Sequence, residues 1–352
     1  MPVKVLPKGF PRLVSRGGSL GSQLFDITTA SAVNFTVGVP YSMEPGSARL
    51  TAKIFSSNFA SLLSAVEALI QDPSGCFEQT SSTTYPMVMA LQFLQAQPDQ
   101  ASQKVQAMKL NIEAKLKKGY DKLVSFKTKE KGYEWFGESP AHESLSAYGL
   151  MQFSEMKKVT SFVDDGMVKD LSKWLISRKD GKGLFLKNEK ALDSFGRAPD
   201  NITAAYIVWT LSASGEATFD EVSKEVANLK TLADDQIAKG SNDAYFLGLL
   251  ASTLYNYGKN AEAQVYADAI IKNQMSSGNV TQSLTTITTS MGENLVIETT
   301  GIAVIAWMND QTSYSSRITP AINWLVASVK NGGRYGSTQA TILALKAITS
   351  YM

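Results

Sequence analysis

From Ser57 to the C-terminus the chain repeats one unit: a long, charged, amphipathic segment followed by a shorter segment that is apolar nearly all round. A repeat of this kind restricts the fold more than any single helix assignment. The amphipathic segments are 57–71, 99–126, 163–178, 218–238, 260–274 and 315–330. Each carries apolar residues three and four apart on one face, the pattern of an outer helix with a wet side. The apolar segments are 80–94, 142–156, 201–213, 242–255, 298–308 and 337–348, each opening on a polar residue. A helix apolar on every side belongs inside. Three connections from outer to inner segment echo one another, at 131–137 (KGYEWFG), 181–185 (GKGLF) and 331–339 (NGGRYGSTQ). The expected fold is therefore mainly α, an α/α toroid of six inner and six outer helices.

Residues 1–54 differ in texture. In QLFDITTASAVNFTVGVPYSMEPGSARLTAKIF, β-branched and aromatic residues alternate with polar ones between Gly and Pro, which is a strand pattern. The expected organisation is a short β segment at 1–54 and the toroid at 55–352.

In a toroid all inner helices start at one end, so residues at their starts are neighbours there. Cys76 to Gln79, His142, Glu143, Asn201, Asn242, Asp243, Glu298 and 337–339 are expected on that face, most of them as helix caps. Cys76 and His142 are the only residues of their types, so neither a disulfide within the chain nor a zinc site of the usual kind is expected. Thirty-four basic against thirty-two acidic residues, with no dense cationic cluster beyond 115–122, exclude the footprint of a nucleic-acid binder. No apolar stretch reaches the length of a membrane span, and the N-terminus lacks the apolar core of a signal peptide. If the protein is exported, the chain is expected to be part of a longer one.

The sequence Gly75-Cys76-Phe77-Glu78-Gln79 follows the turn formers Asp72-Pro73-Ser74 and sits immediately before the inner segment 80–94. A thiolate three residues before a glutamine can reach its side-chain amide carbon across a tight turn. Loss of ammonia then leaves an intrachain thioester, an acyl group stored on Gln79.

This segment resembles the thioester signature of the alpha-macroglobulins and complement thioester proteins, in which Gly-Cys-Gly-Glu-Gln is usual. Phe77 stands at the middle Gly, a variation similar to the bacterial-type branch. The resemblance extends through Gly46-Ser47-Ala48-Arg49, Pro86, and the stretches 142–153, 174–185, 298–308 and 332–348, in order. It implies that 1–54 is part of a CUB-type β-sandwich. It also implies that Cys76 is the leaving thiolate, Gln79 the acyl donor, and the only cofactor-like element their cross-link, with no bound cofactor or metal. Function is then covalent capture in a single turnover by an alpha-macroglobulin-type broad-spectrum protease inhibitor. The partners implied are target proteases or other amine-bearing surfaces and the remaining domains of a full-length macroglobulin, in an extracellular or periplasmic setting. Complement-like tagging of surfaces is the alternative. An α/α-toroid enzyme of the terpenoid-cyclase type is a further one, opposed by the lack of acidic clusters or zinc ligands.

His142 is the candidate base for the incoming nucleophile, or else a capping or packing residue. Glu78 and Glu143 are candidate supporting residues. Tyr133 and Trp135, with Phe136, either cover the thioester or pack in the core. Complement-type members that form esters carry a catalytic His in the loop that here reads GLFLKNEKALDSFGRAPD, and Asp193 falls roughly at its place. The expected products are therefore amides with lysines.

Overall fold

The computed structural model describes Gly38, Met43, residues 46–49, Glu67 and residues 69–96, 102–190, 192, 194–329 and 335–351. The chain divides at Ala65/Val66 into two units, and the helices described below all belong to the second. The expected β segment at 1–54 and most of the first outer helix at 57–71 lie outside the described residues.

Six inner helices alternate with outer ones. The inner set is α1 (Phe77–Ala96), α3 (Glu143–Val159), α5 (Asp200–Ser214), α7 (Ala244–Asn256), α9 (Gly292–Trp307) and α11 (Thr338–Tyr351). The outer set among the described residues is α2 (Gln103–Val124), α4 (Asp165–Ser177), α6 (Phe219–Ala238), α8 (Asn260–Ile271) and α10 (Gln311–Ala327). Each inner helix packs on the next inner helix, and α11 packs back on α1, so the inner set is a closed ring. Each outer helix packs against the inner helix before it. This is the α/α toroid expected from the repeat.

The division of labour follows burial. In α7 every residue from Ala244 to Leu254 is buried, whereas α6 buries only Val222, Glu225, Val226, Leu229 and Ala233 along one stripe. A fully buried Leu, Phe or Val contributes about 1.5–3 kcal/mol relative to its exposed state, so the ring is held chiefly by its inner helices. Caps fix their ends. Asp243 accepts the N–H groups of Tyr245 and Phe246, and Thr218 forms a capping box with Glu221.

The connections from outer to inner helix share one geometry. Isolated antiparallel bridges join Lys127 to Tyr133, Lys179 to Phe185 and Gln274 to Val280. The residue two before the end of each bridge has positive φ: Lys131 at 74°, Gly183 at 98° and Gly278 at 97°. The first two bridges fall on turns recognised in the sequence, and the third is at 274–280, which carries no aromatic signature. At 331–339 the described part begins at Tyr335. The turns dock on the inner helices through hydroxyls. Ser146, Thr300 and Thr341 accept the backbone N–H of Tyr133, Val280 and Tyr335 at 2.7, 2.9 and 3.0 Å.

Two expected helix starts are corrected. α1 begins at Phe77 and not at Thr80, whose N–H already bonds the Cys76 carbonyl inside the first turn. Glu298 does not open an inner helix, because α9 begins at Gly292 and places Glu298 in its second turn, fully buried. Glu293 supplies the first-turn acid, and the apolar run Leu295-Val296-Ile297 is already helical.

Candidate functional site

Cys76 is the N-cap residue of α1: its carbonyl accepts the N–H of Thr80 at 2.8 Å while its own N–H lies outside the helix. Gln79 is then the third helical residue. In a capping box the side chain at that position turns back to the N-cap N–H. Gln79 does so, its Oε1 accepting the Cys76 N–H at 3.1 Å. The Cys-x-x-Gln spacing is therefore the spacing of a capping box with a thiol in place of the usual hydroxyl. That geometry brings the Cys76 side chain and the Gln79 amide carbon to the same helix end.

Gly75 shapes the other side of this fold-back. It has φ +83°, and a Cβ there would meet Gln79 Oε1 at 2.0 Å and Cδ at 2.9 Å. Only a glycine leaves the space that the Gln79 carboxamide occupies. Cys76 is half-buried and Gln79 exposed, so the pair is open to an incoming molecule.

Phe77 holds the pair in place from inside. Its ring is fully buried, 5.0 Å from Tyr133 and 6.4 Å from both Phe126 and Phe153. Gly149 of α3 provides the room, since a Cβ there would come within 2.8 Å of Phe77 Cζ. The Phe77 N–H donates to the Trp135 carbonyl at 2.9 Å, which ties the start of α1 to the turn before α3. Glu78 beside it is half-buried, close enough to Tyr148 for its charge to push that buried phenol's pKa further up, after burial itself.

His142 is the N-cap of α3 and is fully buried. Its Nδ1 accepts the Leu145 N–H at 3.4 Å, so in the neutral ring the proton sits on Nε2. Burial, and then the positive charge of Lys187, depress its pKa to about 4. The Trp135 ring lies edge-on at 5.0 Å. One residue, Trp135, thus touches both the start of α1 and His142. The lone pair that a base would use is engaged in the helix cap.

The remaining expected residues separate into distinct roles. Tyr133 is core, its hydroxyl donating to the Met167 sulfur at 3.1 Å, and Trp135 is buried as well, whereas Phe136 is 64% exposed. Glu143 accepts Arg178 Nε and the Asn188 N–H, both at 2.8 Å. Asn188 Nδ2 donates to the carbonyls of Pro140 and Ala141 at 3.1 and 3.2 Å. Glu143 therefore anchors the loop from 186 to 190 beside His142. Asp193, further along that loop, lies outside the described residues. Asn242 is tied to α8 through Ala269 and to Asn273, Asp243 caps α7, and Ser337 accepts the Ala340 N–H at the start of α11. The Phe77–Gly149 fit and the Gly75 cradle were not visible in the sequence as such. Their only local signals are a bulky residue in a signature that is usually glycine there and a glycine inside an apolar helix.

A family model described as the A-macroglobulin TED domain matches residues 49–351. Alpha-2-macroglobulin-like protein 1 of Mus musculus is 23% identical over 330 residues, covering 89% of this chain and 22% of that protein. Venom factor of Crotalus adamanteus is 24% identical over 293 residues, 80% of this chain and 17% of that protein. Complement C3 of Naja naja is 25% identical over 305 residues, 82% of this chain and 17% of that protein. The chain thus spans about a fifth of the length of these curated relatives.

Proposed function

The chain belongs to the A-macroglobulin TED domain family, and from that premise we propose that it is a covalent trap: Cys76 and Gln79 close into a thioester whose acyl group passes to an amine on the target. The observation that carries the reading is the capping-box fold-back of Gln79 onto Cys76 at 3.1 Å, over a glycine whose missing Cβ leaves room for the carboxamide. The amine attacks Gln79 Cδ, an amide bond forms, and the Cys76 thiolate leaves. The donor is consumed, so each molecule acts once and is not an enzyme.

The amine preference rests on the loop at 183–200, which contains no histidine because the sole histidine of the chain is His142. An ester-forming reaction needs a second nucleophilic or basic group to activate a hydroxyl, and His142 is committed to a cap. In the full-length protein the trap is proposed to act in a broad-spectrum protease inhibitor outside the cell or in the periplasm, with lysines of the attacking protease as the acceptors. No helix among the described residues is long and apolar enough to cross a membrane.

Native mass spectrometry tests the thioester. The expected mass is lower than that of the plain sequence by one ammonia, with no free thiol. Methylamine should add its full mass and release one thiol. A chain of unreduced mass with Cys76 freely titrable from the outset would refute the reading.

A further inference from the structure

We infer that the backbone N–H of Cys76 is the oxyanion donor for the acyl chemistry at Gln79, both when the thioester closes and when an amine opens it. The inference rests on the thioester reading above. Both steps put negative charge on one atom. In closure the Cys76 thiolate attacks Gln79 Cδ, a C–S bond forms, and the carbonyl π pair moves onto Oε1. The pair then returns, the C–N bond breaks, and the nitrogen takes a proton and leaves as ammonia. In aminolysis the amine nitrogen attacks Cδ and the π pair again moves onto Oε1. The C–S bond then breaks with its pair on sulfur, and the nitrogen gives its extra proton to the thiolate or to solvent.

Oε1 is the atom that the Cys76 N–H already holds at 3.1 Å. The backbone around that donor is fixed by neighbouring bonds: the Phe77 N–H to Trp135 and the Thr80 N–H to the Cys76 carbonyl, at 2.9 and 2.8 Å. Gly75, lacking a Cβ, leaves open the space that Oε1 occupies against this donor, since a Cβ there would stand 2.0 Å from the oxygen. A hydrogen bond to an ionised oxygen is roughly twice as strong as one to a neutral carbonyl. The bond therefore strengthens as the tetrahedral intermediate forms, which is the requirement for lowering a barrier rather than merely binding. In the unreacted chain the same contact is an ordinary capping-box bond. The fold thus uses a helix cap both to bring the two side chains together and to stabilise the charge that their reaction creates.

A single cysteine allows a direct test on the whole chain, because labelling with 15N-cysteine gives one backbone amide signal. In the thioester form that signal should lie downfield of its position in Gln79→Ala, and its amide should exchange with solvent about tenfold more slowly, the protection expected of one hydrogen bond. Treatment with methylamine should move it. Gly75→Ala, folded by circular dichroism, should close its thioester or react with methylamine about 100-fold more slowly, the effect of losing one oxyanion donor. A thioester form whose Cys76 amide coincides with that of Gln79→Ala, or a Gly75→Ala chain reacting at the wild-type rate, overturns the inference while the thioester reading stands. A wild-type chain with the mass of the plain sequence overturns both.

Discussion

The carboxamide oxygen of Gln79 accepts the backbone N–H of Cys76 at 3.1 Å, the back-bond of a capping box whose N-cap side chain is a thiol. Stability and reactivity at this end of α1 therefore separate by substitution. Gln79→Glu keeps an acceptor for the Cys76 N–H but has no amide to lose, whereas Gln79→Ala loses both. In urea unfolding Gln79→Glu should exceed Gln79→Ala by about 1 kcal/mol, the usual worth of a cap, and neither should form a thioester. Equal stability of the two variants would show that the back-bond contributes nothing to the helix.

Phe77 and Gly149 fit each other across α1 and α3. Phe77→Ala should cost about 3–5 kcal/mol, because the buried ring leaves a cavity among Tyr133, Phe126 and Phe153. Gly149→Ala should cost about 1–3 kcal/mol by pressing a methyl group within 2.8 Å of Phe77 Cζ. In the double variant the added methyl occupies the vacated space, so the two costs should fall short of their sum by about 1 kcal/mol or more. Additive costs in a double-mutant cycle would mean that α3 recedes to admit the methyl and the two residues are not coupled.

The toroid was legible because its two helix classes differ in how much of their surface is apolar, a property visible along the sequence. Boundaries agree closely where a cap stands at the start, as at His142, Asp164 and Thr218. They diverge at α9, where a buried Glu298 in the second turn imitates a helix start because acids usually cluster there. The Cys76 and Gln79 pair was legible as a spacing. The burial that changes the chemistry of His142 was not, because it depends on Trp135 and on a loop held by Glu143, neither of which the local pattern weighs. Likewise the room for Phe77 comes from a residue in another helix.

Two buried groups oppose each other in their response to pH. Glu298 accepts hydroxyls of Ser290 and Ser337 at 2.6 and 3.1 Å, and burial outweighs these bonds and raises its pKa from 4.5 to about 7. The folded chain keeps a proton there that the unfolded chain has lost, so this stability is present below about pH 4.5 and is lost as pH rises through about 7. His142 runs the other way. With its pKa lowered from 6.5 to about 4, its contribution is present above about pH 6.5 and is lost as pH falls through about 4. Between about pH 4.5 and 6.5 the two slopes, each of order 1 kcal/mol per pH unit at most, offset one another. Relative to wild type, Glu298→Gln should become less stable as pH falls across that window, and His142→Asn should become less stable as pH rises. Unfolding free energies of the three chains at several pH values decide it, and parallel curves would count against both assignments.

The incoming amine should lose its proton without help from His142. With a pKa of about 4 and Nδ1 engaged by Leu145, the His142 imidazole has no titration between pH 6 and 8 with which to act as a base. A lysine-like amine titrates near ~10.4, so its reactive fraction rises about tenfold for each pH unit in that range. The rate of methylamine incorporation should rise in the same proportion, without a break near neutrality. His142→Asn keeps a residue suited to the N-cap and should react within about tenfold of wild type, the worth of one hydrogen bond. Glycerol, which presents only hydroxyls, should compete poorly at any pH, because activating a hydroxyl requires a base that this site holds in a helix cap. A plateau near pH 6.5 that disappears in His142→Asn would instead make His142 the proton acceptor, and would require the imidazole to leave its cap when the amine arrives.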